Sequence, residues 1–241
     1  WGTAFIHDDD VTNPPTSQIT FKPSDIGENY DLEIINCTFS GTAVAIENFT
    51  VEVDGNSVAG SVEIDNVSFF NNFGTSINNC NNVIIRNSII DGQIRNCEDI
   101  TIYNSEFKGG TNILNCREVK VGIEQSVYDT LSFFDKMNYQ SVFYGQAIEQ
   151  CDNLYLGNVK FLLDDSIPYN QTIDYIVYDC QNIQNFEDHP DIEESYKDIN
   201  YDHRKVVYLN IDEYALHYEI PVFYVCDQVT NLNVYAKGMG D

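Results

Sequence analysis

Six of the seven cysteines occur in one repeated pattern, apolar-x-x-Cys-x-x-apolar, which we call the cysteine frame. Its copies are Ile77/Cys80/Val83, Ile94/Cys97/Ile100, Ile113/Cys116/Val119, Ile148/Cys151/Leu154, Val177/Cys180/Ile183 and Phe223/Cys226/Val229. In four copies the apolar alternation continues for one further step, and this period of two is typical of a β-strand. A short strand that returns at regular intervals predicts a stack of similar units.

The spacing of these cysteines predicts how many units lie between them. Successive cysteines are 17, 19, 35, 29 and 46 residues apart. The first two steps predict single repeats, and the third predicts two repeats. The last two steps predict repeats that carry insertions.

A second pattern, apolar-x-Asn-small-x-apolar, alternates with the first, and we call it the asparagine frame. Its copies begin at Ile34, Ile64, Ile85, Ile102, Leu156 and Val229, and Cys37 takes the small position of the first copy. Asparagine tolerates left-handed backbone dihedrals, so it is suited to the places where the chain turns. The side-chain amides of stacked asparagines are expected to hydrogen-bond from one unit to the next.

Together the two frames predict a solenoid in which each unit of about 17 to 22 residues holds two or three short strands. Units stacked at about 4.8 Å, the spacing of strands in a sheet, place each inward Ile, Val or Phe on its counterpart in the next unit. The predicted fold class is therefore all-β.

Three segments resemble coils of right-handed parallel β-helices of the pectate-lyase-like type: LEIINCTFSG (32–41), NNVIIRNSIIDG (81–92) and NCEDITIYNSEFKGG (96–110). The resemblance implies a single-stranded right-handed parallel β-helix, and it specifies a fold rather than a chemistry. A weaker likeness is to the β-helix of cyclase-associated protein and tubulin-cofactor C domains, which also repeats an apolar-x-x-Cys pattern.

The repeats divide the chain into two predicted regions. Residues 1–31 lack the repeat and are predicted to be an N-terminal cap or a segment that links subunits, because an uncapped solenoid end exposes strand edges. If this segment links subunits, its apolar residues Phe5, Ile6 and Phe21 are the assembly candidates. Residues 32–241 are predicted to form the β-helix, with excursions at about 122–147, 162–176 and 185–205.

The charge balance restricts the partners. The chain has 12 basic and 38 acidic residues and a net charge of −26, which repels phosphate backbones and anionic lipid. We therefore expect no nucleic-acid partner. A run of 18 or more apolar residues is missing, so we expect no membrane insertion. The chain opens on Trp1 rather than Met, and we expect that a signal peptide has been removed.

Two groups of side chains are candidates for ion binding or cross-linking. Acidic clusters offer hard oxygen ligands for Ca²⁺, the one candidate cofactor, but they lack EF-hand or RTX-type spacing, so a solvated, solubilising acidic face is the favoured interpretation. The calcium candidates are Asp164, Asp165, Glu187, Asp188 and Asp191. The cysteines contain no C-x2-C pair for zinc, so we expect packing of free thiols, with disulfides between neighbouring coils as the alternative.

Four N-x-S/T sequons mark candidate glycosylation sites, at Asn36, Asn48, Asn66 and Asn170. Asn36 and Asn66 belong to the asparagine frame, where the stack is expected to engage their side chains. Asn48 and Asn170 lie outside it and are the better acceptors.

These features favour a non-catalytic extracellular or cell-surface β-helix that serves as a structural or adhesive module and associates with itself end to end. We find no complete catalytic constellation, so catalytic residues are not assigned. The alternative is a carbohydrate-binding or polysaccharide-cleaving β-helix whose loop aromatics stack on sugar rings. The stacking candidates are Phe133, Phe134, Tyr139, Tyr144, Tyr169 and Tyr201. A third hypothesis, an intracellular cytoskeletal β-helix, predicts reduced thiols and no glycans.

Overall fold

In a computed structural model of the chain, the protein is an all-β parallel β-helix, as the repeats predict. Three long sheets, here named A, B and C, run along the solenoid, and each coil adds one strand to each of them in that order. The structure describes residues 18–23, 30–40, 44–47, 49–53, 56–70, 75–108, 111–123, 125–132, 135, 139–145, 147–157, 159–163, 175–185, 206–211, 223–229 and 233–237.

The strands of the described ranges form seven successive coils, with one strand before them, a hairpin after the first coil and one strand after the last. In chain order they are β1 (Gln18–Pro23); β2 (Tyr30–Ile35), β3 (Thr38–Ser40) and β4 (Val44–Glu47); the hairpin β5 (Thr50–Val53) and β6 (Asn56–Ala59); β7 (Val62–Asp65), β8 (Ser68–Phe70) and β9 (Thr75–Asn78); β10 (Asn81–Arg86), β11 (Ile89–Asp91) and β12 (Gln93–Arg95); β13 (Glu98–Tyr103), β14 (Glu106–Lys108) and β15 (Ile113–Leu114); β16 (Arg117–Gly122), β17 (Ser141–Tyr144) and β18 (Ile148–Glu149); β19 (Asp152–Leu156), β20 (Val159–Leu163) and β21 (Val177–Tyr178); β22 (Gln181–Asn185), β23 (Val206–Ile211) and β24 (Phe223–Tyr224); and β25 (Asn233–Lys237). One short helix, α1 (Gln125–Tyr128), follows β16.

Neighbouring coils pair in parallel in all three sheets. Sheet A has the order β1-β2-β7-β10-β13-β16-β19-β22, sheet B runs from β3 to β25, and sheet C runs from β4 to β24. Strand β1 is the exception because it pairs antiparallel with β2. Residues 18–23 therefore pair with the first strand edge of sheet A within their own chain.

The core consists of side-chain columns that run along the solenoid. In sheet B the inward column contains Phe39, Phe69, Ile90, Phe107, Phe143 and Phe161, all buried. In sheet C the inward column runs from Ile46 through four buried isoleucines and Val177 to Phe223. The parallel register is what places like residues on like residues, and it explains the repeated Ile and Phe of the sequence.

Each regular coil turns at three residues in the left-handed region, and asparagine occupies most of these positions. One position lies one residue before the cysteine of the cysteine frame, and the second lies two residues after that cysteine. The third is the Asn position of the asparagine frame. The sixteen described residues are Asn36, Asn66, Asn79, Asn82, Asn87, Asn96, Asp99, Asn104, Asn115, Glu118, Gln150, Asn153, Asp179, Asn182, Val225 and Gln228. Short amide side chains make these dihedrals less costly than other residues do, which confirms the reason for the repeated Asn.

The predicted asparagine ladders are present, with one interruption. Asn66 Nδ2 donates to Asn36 Oδ1 at 2.6 Å, and Asn104 Nδ2 donates to Asn87 Oδ1 at 2.8 Å. Asn87 Nδ2 instead donates to Asp65 Oδ1 at 2.8 Å, so a carboxylate breaks the amide series. A second ladder joins Asn115 to Asn96 and Asn96 to Asn78.

The step from Cys116 to Cys151 is one coil with a long insertion, so the prediction of two repeats is wrong. Strand β16 pairs directly with β19, and no further sheet A strand lies between them. The insertion falls at the corner between sheets A and B and includes α1. Strand β17, within the excursion predicted at about 122–147, pairs with β14 and β20 in sheet B.

The hairpin β5–β6 was not predicted, although the sequence contains its signal. Its strands pair antiparallel around the dipeptide Asp54-Gly55, a composition that favours tight two-residue turns. The alternation of Val51, Val53 and Val58 is equally compatible with a strand of the coil, so it does not distinguish the hairpin from the predicted β-helix of residues 32–241. No helix in the described ranges is long and apolar enough to cross a membrane.

Candidate functional site

Most of the predicted site residues lie outside the described residues. These are the calcium candidates Asp164, Asp165, Glu187, Asp188 and Asp191, the glycosylation candidates Asn48 and Asn170, the assembly candidates Phe5 and Ile6, and the aromatic candidates Phe133, Phe134, Tyr169 and Tyr201. Phe21 lies in β1, of which the structure describes the backbone. Among the described residues, no group of three or more His, Cys, Asp or Glu is placed to hold a metal ion.

The remaining candidates have defined surroundings. Tyr139 is half-buried, and its hydroxyl donates to Asn87 Oδ1 at 3.4 Å, which connects the insertion to the asparagine ladder. Tyr144 is half-buried in β17. In the sequons, the Nδ2 atom of Asn66 already donates to Asn36, so a glycan there would replace one of the two hydrogens of a nitrogen that the ladder uses.

The aromatic residues that the structure does bring together are Tyr175, Tyr178 and Tyr224, on the outer face of sheet C. Tyr178 and Tyr224 are partners in the register of β21 and β24. Their rings stack with centroids 5.8 Å apart, and the Tyr175 ring stacks on Tyr178 at 4.4 Å. Such stacked pairs contribute about 0.5–1.5 kcal/mol beyond the area they bury.

A carboxylate holds one end of this tyrosine stack. Glu149, in β18 of the preceding coil, accepts hydrogen bonds from the Tyr175 hydroxyl at 3.1 Å and from Thr111 Oγ1 at 3.2 Å. The other end of the stack is Tyr224, in the last strand of sheet C. The stack therefore starts at a fixed carboxylate and ends on a ring at the C-terminal end of the described solenoid.

Large apolar side chains are exposed at this end. Tyr224 is 51% exposed, Val225 57% and Val229 41%. Val229 follows Cys226 by three residues, a position that is fully buried as Val83, Ile100, Val119, Leu154 and Ile183 in earlier coils. Cys226 and Phe223 are half-buried, whereas the other six cysteines are buried.

Val225 also has an unusual backbone conformation. It has φ 55° at the position just before the frame cysteine, where the other copies have Asn79, Asn96, Asn115, Gln150 and Asp179. The left-handed region costs a residue with a Cβ about 1–2 kcal/mol, and a β-branched residue there is an outlier. An exposed valine in this conformation stabilises neither the turn nor the core, and such positions concentrate at functional sites.

The negative charge lies away from the middle coils. Residues 81–120 contain five acidic and five basic residues, so the remainder of the chain carries the whole net charge of −26. In the middle coils the charges form ion pairs, such as Arg117 with Glu98 and Lys120 Nζ with Asp99 at 3.0 Å. In the last two coils the described charged residues near Tyr224 are Asp179 and Asp227, both exposed.

All seven cysteines are free thiols, and the six of the cysteine frame form an internal column at the corner between sheets C and A. Each sulfur lies against backbone: Cys97 Sγ donates to Arg95 O at 3.2 Å and accepts from Cys80 N at 3.4 Å. Its hydrogen bond to Cys116, together with burial, raises the pKa of the Cys97 thiol to about 12. The hydrogen bonds to Cys116 and Cys180 and burial raise the pKa of Cys151. These contacts are those of free thiols packed in the core, as the sequence predicts.

We predict that burial controls the reactivity of these thiols. In the native protein, a thiol reagent such as Ellman's reagent should modify one cysteine rapidly, Cys226, because it alone of the seven is half-buried. In denaturant without reductant, all seven should react. Fewer than seven reactive thiols in denaturant would show disulfides and would contradict the free-thiol column.

Sequence reasoning missed Tyr178 and Tyr224 as a pair. Both directly follow the first apolar residue of a cysteine frame, so aligning the frames would have placed them side by side. The 46-residue step between Cys180 and Cys226 concealed this equivalence. Searches with this chain match no protein-family model, no curated protein and no solved structure.

Proposed function

We propose that the protein is a non-catalytic structural and adhesive β-helix module outside the cell, built as a rigid rod with a contact surface at its C-terminal end. The observation that carries this proposal is the group of exposed apolar side chains at this end, Tyr224, Val225 and Val229; in earlier coils the position of Val225 is polar and that of Val229 is buried. A module that presents apolar side chains at the end of a stiff solenoid is suited to holding something else in place.

The body of the solenoid supports the structural part of the proposal. Unbroken side-chain columns and cross-coil hydrogen bonds connect every described coil to its neighbours. Seven coils at about 4.8 Å give a rod about 34 Å long. Its hand, and its kinship with pectate-lyase-like β-helices, belong to the proposal, since they rest on the repeated segments alone.

End-to-end self-association is part of the proposed function, and it should depend on salt. Two copies of charge −26 repel each other at low ionic strength, and screening within about 8 Å at 0.15 M salt weakens that repulsion. We expect dispersed rods at low salt and filaments or oligomers at high salt, measured by sedimentation velocity and electron microscopy. Adding and chelating calcium tests the acidic clusters separately. A single species at every salt concentration, with and without calcium, would contradict self-association.

Carbohydrate binding is the second candidate function, favoured by the outer face of Tyr224, which is free to stack on a sugar ring. The charge argues against an acidic polysaccharide. A glycan array with the wild-type protein and the Tyr224→Ser variant tests this candidate. Release of reducing sugar from any polysaccharide would contradict the non-catalytic proposal.

A further inference from the structure

The exposed C-terminal end also indicates the kind of partner that it fits. We name the set Tyr224, Val225, Val229, Asp179 and Asp227 the terminal patch. We propose that the terminal patch docks a basic polypeptide, whose apolar side chains cover the two valines and whose cationic groups face the tyrosine ring and the two aspartates. This inference rests on the adhesive function proposed above and adds the chemistry of its partner.

The strand register places four members of the terminal patch next to one another, and Val229 follows Asp227 by two residues. Tyr224 pairs with Tyr178, and the Asp179 backbone N–H donates to Tyr224 O at 3.0 Å. Asp227 forms a parallel bridge with Gln181, and its N–H donates to Cys180 O at 3.0 Å. Val225 and Asp179 therefore occupy equivalent corner positions in adjacent coils, and Asp227 follows Val225 by two residues.

Charge complementarity selects the partner. The patch contains two exposed carboxylates, and the chain around the neutral middle coils carries the net charge of −26. An acidic partner, and at low salt a second copy, would meet like charge there, whereas a basic segment gains attraction and a faster encounter. A lysine or arginine over the open face of Tyr224 also gains a cation–π contact.

The apolar residues make the site more than a charged surface. Val225 keeps a left-handed φ of 55° at a position where asparagine fits better, and Val229 exposes what is a core position in earlier coils. Both features cost stability in the isolated chain. A partner that covers Val225 and Val229 removes both valines from water. Contact between these valines and apolar side chains of the partner would explain why valine occupies these positions.

The test uses the full chain and three fluorescently labelled short peptides: alternating Lys and Leu, alternating Lys and Ser, and alternating Glu and Leu. Anisotropy should show the Lys–Leu peptide binding at least about tenfold more tightly than the Lys–Ser peptide, and the Glu–Leu peptide not binding. High salt should abolish Lys–Ser binding and only weaken Lys–Leu binding, because the apolar contacts persist.

Variants locate the site. Val225→Asn should raise the melting temperature, because Asn tolerates the left-handed region, and should weaken Lys–Leu binding about tenfold or more. Tyr224→Ser should weaken it similarly. Leu114→Ser is the matched control, since Leu114 occupies the register position of Tyr224 three coils earlier and should leave binding unchanged.

Equal affinity for the Lys–Leu and Lys–Ser peptides would overturn the proposal, and so would unchanged Lys–Leu binding in the Val225→Asn and Tyr224→Ser variants. A third contrary result is that these variants abolish self-association or glycan binding but leave peptide binding intact. The proposed structural and adhesive function is tested by different measurements. Cleavage of a polysaccharide or the absence of any assembly would contradict that function, and neither result would change the outcome of the peptide titration.

Discussion

Replacing Phe143 with alanine is expected to lower the free energy of unfolding by about 3–5 kcal/mol. Phe143 is fully buried in the middle of the sheet B column. Its ring stacks on Phe107 with centroids 4.5 Å apart and tilts against Phe161 at 5.7 Å. The truncation therefore removes one buried ring, two aromatic contacts and the filling of a space between rigid strands, which cannot collapse to close the cavity.

Urea denaturation followed by circular dichroism measures this loss, with Phe143→Leu as the control. Leucine keeps most of the buried apolar volume, so its cost should be clearly smaller than that of alanine. Each coil is stabilised by its two neighbours, so damage in the fifth coil should also reduce the cooperativity of unfolding. Equal stability of the wild type and the alanine variant would contradict the continuous phenylalanine column.

Replacing Cys116 with aspartate is expected to destabilise the protein by about 4 kcal/mol or more, enough to prevent folding of a marginally stable domain. Cys116 is buried at the corner between sheets C and A, and its sulfur lies 3.3 Å from Leu114 O and 3.4 Å from Cys97 N. A carboxylate there would face a carbonyl oxygen and would have one N–H donor. A single hydrogen bond does not compensate the charge for the bonds to water that it loses on burial.

Cys226→Asp is the matched control, because Cys226 occupies the same frame position at the half-buried C-terminal end. There the carboxylate can reach water, so the loss should be much smaller. Soluble yield and urea midpoints of the two variants make the comparison. Similar destabilisation at both positions would show that the end of the column is as closed as its middle, which would also remove the basis of the terminal patch.

The repeats allowed the strands to be predicted because each coil solves the same physical problem. Ile94, Cys97 and Ile100 must face inward, and the turn between them needs a residue that accepts a left-handed backbone, so the sequence returns to the same choices at each coil. Where a segment departs from this repeat, the sequence-based prediction was wrong or incomplete. The insertion after β16 has no periodic signal, so its length was taken for an additional coil, and the hairpin β5–β6 imitates the alternation of a coil strand.

The candidate site was less predictable than the fold. The aromatic candidates were chosen for their place in loops, and those that the structure describes, Tyr139 and Tyr144, lie separately in the insertion and in β17. The tyrosines that stack, Tyr178 and Tyr224, are strand residues far apart in sequence. The parallel register between β21 and β24 brings them together. In the sequence, the only sign of that pairing is their equivalent place in two cysteine frames that lie 46 residues apart.

The amino-acid sequence by itself determined the parallel β-helix, the inward columns of Ile, Phe and Cys, and the asparagine corners, because these depend on local alternation and on backbone preferences that each residue carries with it. The tertiary structure alone decided that Val229 is exposed. Val229 has the same pattern as Val83 or Ile183, yet it is exposed because no described coil stacks on it. Burial depends on the residues that pack against a side chain, and within the described residues no further sheet A strand packs against Val229.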